Sequence, residues 1–321
     1  MPKCIHCEGS YSENKLVSIN KKLICHECFS KAEKEITRSH TYKPEFKKFS
    51  CVGEKNTLFM GFEVEVESVN TETEDIIFEI KLRELDGFLY TKWDGSLSDG
   101  CEIVSQPFSY NYFNSFLFEK LCGFFLYLNK NFSAYKMQTA GIHFHLSRNF
   151  FSPEDLVKLR IFFATNSFPI KILSARTSST RIFRYCRFEE LNRESFVKQM
   201  HQSLSYFPRY TALNLSNKDT VEIRIFSGTT NFQYFLAYLD FSYSLSKFIK
   251  KCSLEKMIAD PSGYWKKYIK FLDETEFYDL LDVFQEYQID TDLSSILKKT
   301  AEISLNAKKI YTKIIESEVD G

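Results

Sequence analysis

Two Cys-x-x-Cys pairs near the N-terminus, Cys4-Ile5-His6-Cys7 and Cys25-His26-Glu27-Cys28, constrain this chain more than any other feature. Each pair can set two thiolates on one ion, and 17 residues separate the pairs. Four thiolates satisfy a tetrahedral Zn2+. Residues 1–30 are therefore expected to form a small zinc module with Cys4, Cys7, Cys25 and Cys28 as ligands. Four soft ligands leave no open coordination position, which points to a structural ion rather than a catalytic one. A segment this short has too little core to fold by itself, and the metal supplies the missing stability. His6 and His26 stand inside the knuckles, so a mixed site using one of them is the alternative. The other five cysteines (Cys51, Cys101, Cys122, Cys186 and Cys252) follow no framework and read as reduced core thiols.

Residues 31–56 are rich in Lys, Glu and Ser, and read as a short helix over Lys31–Thr37 followed by a connector. A main domain is expected over 57–250, with a helical region over 251–321. Phe62, Val64 and Val66 alternate with Glu63, Glu65 and Glu67, the period of a strand with two unlike faces. Further strands are predicted over Ile76–Lys81, Phe88–Lys92, Cys101–Ser105, Gly141–Leu146, Tyr210–Leu215 and Thr220–Phe226. The polar run Ser216-Asn217-Lys218-Asp219 between the last two predicts a hairpin. Helices are predicted over Tyr110–Lys130, Pro153–Phe163, Asn192–Ser205, Phe232–Lys251 and Ser294–Ser317. Ser109 and Ser152-Pro153-Glu154 supply start signals for the first two. Hairpins with helices between them argue for an α+β fold on an antiparallel sheet. The sequence contains neither GxGxxG nor a GxxxxGK[ST] loop, so a nucleotide would not be held by either device.

Four clusters carry candidate chemistry. Glu63, Glu65 and Glu67 share one strand face, which is either a solvated edge or the wall of a site for hard cations such as Mg2+. Asp94, at the Asp94-Gly95 turn, and Glu102, on the next strand, can be brought together by a hairpin. His143 and His145 point the same way beside Gly141, which suits a site and also suits Zn or Fe. Asn214 faces the strand bearing Glu222 and Arg224, and that pair is either a cross-strand ion pair or part of a phosphate site. Together these are the parts that phosphoryl transfer needs: carboxylates for divalent ions and an Arg for phosphate.

The succession Gly61-Phe62-Glu63-Val64-Glu65-Val66-Glu67, Asp94-Gly95-Ser96-Leu97 with Glu102-Ile103-Val104-Ser105, Gly141-Ile142-His143-Phe144-His145, and Arg209 to Asn214 with Thr220 to Phe226 resembles the amidoligase family. That family belongs to the carboxylate–amine ligase superfamily of glutamine synthetase and glutamate–cysteine ligase. The resemblance covers roughly residues 57–250 and leaves out the cysteine module and the C-terminal region. It implies an antiparallel sheet curled into a funnel with ATP and metals in its mouth. It also implies two-step chemistry, in which a substrate carboxylate takes the γ-phosphoryl group and an amine then displaces phosphate to give an amide or isopeptide. By the resemblance Glu63 and Glu65 bind metal, with Asp94, Glu102 and Glu222 completing the shell. His143 or His145 contacts metal or nucleotide, Arg224 stabilises the transferring phosphoryl group, and Asn214 positions substrate. Arg176, Arg181, Arg184 and Arg187 cluster between the His strand and the late hairpin; they read either as a solvated basic loop or, for one or two of them with Arg184 among these, as contacts to phosphate or a substrate carboxylate. Asp94 stands where relatives often carry Glu.

The resemblance thus implies ATP and Mg2+ as cofactors, beside Zn2+, and small-molecule, peptide or protein carboxylate and amine substrates. A related architecture performs guanidino-kinase phosphoryl transfer, which is the alternative reaction. The other class is a zinc-containing nucleic-acid or protein adaptor, with the zinc module as a protein-docking element. The balance of 42 basic against 42 acidic residues argues against nucleic acid. Phe116–Leu128 is too short to span a bilayer and reads as a buried helix, so no membrane role is expected. The N-terminus shows no apolar leader, and the cytoplasm is the expected compartment.

Overall fold

The structure is a computed structural model, and it describes residues 1–19, 22–36, 41–42, 44–69, 73–97, 99–134, 140–176, 186–189, 208–261 and 263–287. The helices expected over Asn192–Ser205 and Ser294–Ser317 lie outside these residues, as do Arg181 and Arg184. The fold is α+β. Strands β1 (Leu16–Ile19) and β2 (Lys22–Cys25) make a small antiparallel hairpin that leads into helix α1 (His26–Ile36). Eight further strands form one sheet: β3 (Phe59–Ser68), β4 (Leu89–Lys92), β5 (Gly100–Ser105), β6 (Phe108–Ser109), β7 (Phe132–Ser133), β8 (Gly141–Ser147), β9 (Leu213–Asn214) and β10 (Thr220–Ser227). The order is β4-β5-β3-β8-β10-β9, with β6 and β7 also on β3, and the pairs β4–β5, β3–β5, β3–β7 and β9–β10 are antiparallel. The chain divides into two compact units. One holds Met1–Glu54, Gly61–Ile142 and Gly228–Phe232; the other holds Lys55–Met60, His143–Ser227 and the residues from Gln233 onward.

In the first unit the apolar side of β3 is buried, with Phe62 and Val64 at 1% exposure and Val66 at 0%. Phe62 meets Phe88 and Phe108 edge-on, which joins β3 to the start of β4 and to β6 through aromatic contacts. β3 is no solvated edge, because it has sheet partners on either side. At Gly100 the strands approach so closely that a Cβ would lie 2.0 Å from the Val66 carbonyl oxygen, so only glycine fits the β3–β5 pairing there.

Ile76–Lys81, expected as a strand, is helix α2 (Glu74–Leu82). Asp75 to Ile80 are all buried, so the segment shows no polar face whose period would mark it as helical. Its helix signals are the acidic first turn, Glu74-Asp75, and the basic Lys81 in the last turn. The expected helix Tyr110–Lys130 is helical throughout but not uniform. α3 (Tyr110–Tyr112) is capped by Ser109, whose Oγ accepts from the Tyr112 N–H. A π-turn over Phe113–Leu117 then leads into α4 (Phe118–Asn131). The π-turn keeps Phe113 and Leu117 buried while Phe116 is exposed, so the apolar run is only in part a buried helix.

The second unit is built on α5 (Pro153–Thr165), α6 (Ser167–Leu173), α7 (Phe232–Lys251), α8 (Leu254–Ala259), α9 (Tyr264–Glu274) and α10 (Tyr278–Glu286). Phe226 of β10 stacks on Tyr238 of α7, centroids 4.3 Å apart, and Phe144 of β8 meets both Phe226 and Phe235. Tyr268 of α9 is fully buried against Phe241 and Phe162, and its hydroxyl is paired with Ser244 Oγ at 2.7 Å. Tyr210–Leu215 is a strand only at Leu213 and Asn214; Thr211 bridges to Arg187, and Ala212 donates to the Arg187 carbonyl while accepting from the Arg224 N–H of β10.

α5 opens with a capping box, in which Ser152 Oγ accepts from the Asp155 N–H and Asp155 accepts from the Ser152 N–H. Lys158, 4% exposed, and Lys250 both reach the Asp155 carboxylate, at 2.9 and 3.1 Å. Burial draws that carboxyl upward, but the Lys158, Ser152 and Lys250 donors outweigh it and hold the group at about 2. A depressed folded-state pKa means stability present above the unfolded value of about 3.9 and lost as pH falls through the folded one. Asp155→Asn is therefore expected to cost about 2 kcal/mol at neutral pH. The difference from wild type should close in acid, in a pH series of urea unfolding curves.

Candidate functional site

The four cysteines come together as expected. Their sulfurs lie within 4.8 Å of one another, an arrangement that could hold a metal such as zinc. Cys4 Sγ accepts from the main-chain N–H groups of His6, at 3.4 Å, and Cys25, at 3.3 Å. Such donors offset thiolate charge and orient the ligands. Cys28 lies in the first turn of α1, so that helix starts at His26 inside the module and not at Lys31. Cys51, Cys101, Cys122, Cys186 and Cys252 are free thiols, the middle three of them buried.

The carboxylate cluster of the first unit follows from strand register. Glu65 stands opposite Glu102 in the β3–β5 pair, and Lys92 stands opposite Glu102 in the β4–β5 pair. Opposed residues share a sheet face, so these three form one row, and Glu63 lies on the same face by its alternation with Glu65. Lys92 Nζ sits 3.0 Å from Glu102 and 3.8 Å from Glu63. The Gly141 N–H donates to Glu65 at 2.6 Å. Glu65 is 8% exposed and Glu102 6%. Burial, with repulsion from Glu63 added, pushes the Glu102 carboxyl up to about 9; Lys92 pulls the other way and falls short. Burial and Glu63 likewise raise the neighbouring Tyr90 hydroxyl. Asp94 is used locally: its Oδ1 accepts from the Ser96 N–H at 2.7 Å and closes the turn.

In the second unit Glu222 is a hub. Asn214, its partner across β9–β10, donates to it at 2.7 Å, and Asn217 does so at 3.3 Å. Both amides use Oε2; His143 Nδ1 lies 3.6 Å from Oε1, and the Arg224 guanidinium is paired with that same Oε1. Glu222 is 3% exposed and Asn214 0%. His145, on the same face of β8 as His143, places Nδ1 3.5 Å from Thr220 Oγ1. Arg176 donates through Nε to the Ile225 and Phe226 carbonyls, at 3.0 and 3.1 Å, so it braces β10. Arg187 forms a bridge with Thr211.

Lys92 was not among the residues that the sequence singled out, although it stands two residues before Asp94 and alternates onto the Glu102 face. Arg148 was also missed; its Nη1 caps the Leu215 and Asn217 carbonyls at 2.9 and 3.1 Å and so shapes the β9–β10 turn. No model of a known protein family matches the chain, and no curated protein matches it. Among the described residues, no helix is long and apolar enough to cross a membrane.

Proposed function

We propose that the chain is an ATP- and Mg2+-dependent carboxylate–amine ligase that forms an amide or isopeptide through an acyl phosphate. The observation that carries this reading is the row Glu65–Glu102–Lys92 with Glu63 beside it. Glu65 and Glu102 are buried and Glu63 is half-buried, and at Glu102 burial with repulsion from Glu63 outweighs the Lys92 ammonium. A hard divalent ion takes oxygen ligands and is the natural complement of such a cluster. Glu222 differs, since Arg224, Asn214 and Asn217 already satisfy it. Its carboxylate also fixes the direction of Arg224.

The chemistry asked of these residues is electrostatic. Mg2+, when bound, would supply neutralisation of the γ-phosphoryl charge. Glu63, Glu65 and Glu102 would hold that ion, and by the resemblance Arg224, paired with Glu222, is the group that would stabilise the transferring phosphoryl. A substrate carboxylate becomes an electrophile once phosphorylated, and the amine then expels phosphate. Zn2+ on Cys4, Cys7, Cys25 and Cys28 would be structural.

Calorimetric titration of ATP with Mg2+ into the zinc-loaded protein tests the reading. Wild type is expected to bind and Glu63→Gln to lose binding, without loss of fold by circular dichroism. ADP release should then depend on an acid and amine pair, with free phosphate as co-product. A phosphorylated nitrogen product would move the assignment to guanidino-kinase chemistry. Absence of any nucleotide binding to folded protein at saturating Mg2+ would remove the ligase reading.

A further inference from the structure

The cysteine centre is packed into the first unit instead of standing apart as a finger. Cys4, Ile24, Cys25 and Cys28 share one buried cluster with Ile77 and Phe78 of α2. Phe29 stacks on Phe78 at 6.4 Å with 16° between planes, and His6 meets the same ring edge-on at 6.5 Å. α1 also contacts β4, the strand that carries Lys92. Within this centre the thiols differ in access. Cys4, Cys25 and Cys28 are 1%, 2% and 7% exposed, whereas Cys7 is exposed. Cys7 Sγ lies 3.8 Å from Cys25 Sγ.

We propose that Cys7 and Cys25 form a peroxide-sensitive oxidation site, and that the disulfide between them releases the metal and uncovers α2. This rests on reading the four cysteines as a zinc site. Hydrogen peroxide is small and polar, so it meets Cys7 first and is kept from the three buried sulfurs. The Cys7 sulfur attacks one peroxide oxygen, the O–O bond breaks, hydroxide leaves, and a sulfenic acid remains. The Cys25 thiolate then attacks the Cys7 sulfur, an S–S bond forms, and a second hydroxide leaves. The two thiolates give up two electrons, peroxide accepts them, and both hydroxides take solvent protons to become water. The ion is left with Cys4 and Cys28, half of its donors. In a module this small, binding energy lost by the metal is folding energy lost by the chain. As the knuckles loosen, Phe29 and His6 leave Phe78, and α2 loses the cover on its apolar side.

The test uses the full-length protein loaded with zinc, its metal content measured first. After hydrogen peroxide, zinc in solution is followed with a metallochromic indicator, disulfides by peptide mass mapping, and α2 by hydrogen exchange. Zinc should leave in step with a Cys7–Cys25 disulfide, and Glu74–Leu82 should exchange about tenfold faster or more. Dithiothreitol with added zinc should reverse all three changes. A chelator should reproduce the faster exchange without the disulfide, which isolates the metal's part. Ile77→Ala leaves the ligands alone and should raise α2 exchange while zinc stays bound. Zinc release with a different cysteine pair joined would overturn the proposal, as would full zinc loss with α2 exchange unchanged. A folded chain that never takes up zinc removes the metal-site reading itself, a separate failure.

Discussion

Glu222→Ala is expected to lower the stability of the folded chain by about 3–5 kcal/mol, the usual cost of removing one partner from a buried ion pair. The size follows from what the carboxylate serves. Arg224, 12% exposed, would keep its charge with no carboxylate opposite it. Asn214 and Asn217 would each lose an acceptor, Asn214 in a fully buried position. Asn214 donates one hydrogen bond to that carboxylate and accepts two from Ser216, so Asn214→Ala is itself expected to cost about 2–3 kcal/mol, still less than Glu222→Ala. Replacing Glu222 and Arg224 together by a packed apolar pair should recover much of the loss, because no uncompensated charge then remains. Urea unfolding of the three variants measures this. A Glu222→Ala cost no larger than that of Asn214→Ala would mean that Arg224 finds another anion, and Glu222 would lose its place as the residue that aims the guanidinium.

This hub was largely legible in the sequence. Asn214, Glu222 and Arg224 were picked out because a polar turn between two alternating runs fixes a hairpin, and a hairpin brings its own residues face to face. The same local logic placed the four cysteines, the cap at Ser152 and the two unlike faces of β3. What sequence did not disclose depends on contacts between distant segments. α2 lacks an amphipathic period because Asp75 and Glu79 are buried along with Ile76, Ile77, Phe78 and Ile80. Only its position under the cysteine centre, set by Phe29 and His6, explains why Phe78 is covered. Lys92 is a second case. The Asp94-Gly95 turn predicted a hairpin, but the register that sets Lys92 opposite Glu102 depends on how β5 lies along β4.

That register carries the second large effect. In metal-free protein, stability should fall as pH rises from about 4.3, the ordinary value for Glu, toward the folded value for Glu102. The direction follows from proton counts. A carboxyl held up to about 9 keeps its proton in the folded state over the range where the unfolded chain has lost it. The folded state then binds more protons, and each rise in pH favours unfolding. One pKa unit corresponds to about 1.36 kcal/mol, so the penalty at neutral pH is on the order of 3 kcal/mol. Glu102→Gln removes the titrating group and keeps its shape. It should be more stable than wild type near pH 8 by at least the roughly 3 kcal/mol penalty at neutral pH, and indistinguishable from it below about pH 4.3. Mg2+ should act in the opposite sense, stabilising wild type at pH 8 by binding the folded state alone and leaving Glu102→Gln much less affected. Chemical denaturation at several pH values, with and without Mg2+, separates the cases. A wild-type curve flat from pH 5 to pH 9 would mean that Lys92 neutralises the row after all, and the argument for a divalent cation there would fail with it. A sloping curve that Mg2+ flattens would tie the ion to Glu102 by a measurement that needs neither nucleotide nor substrate.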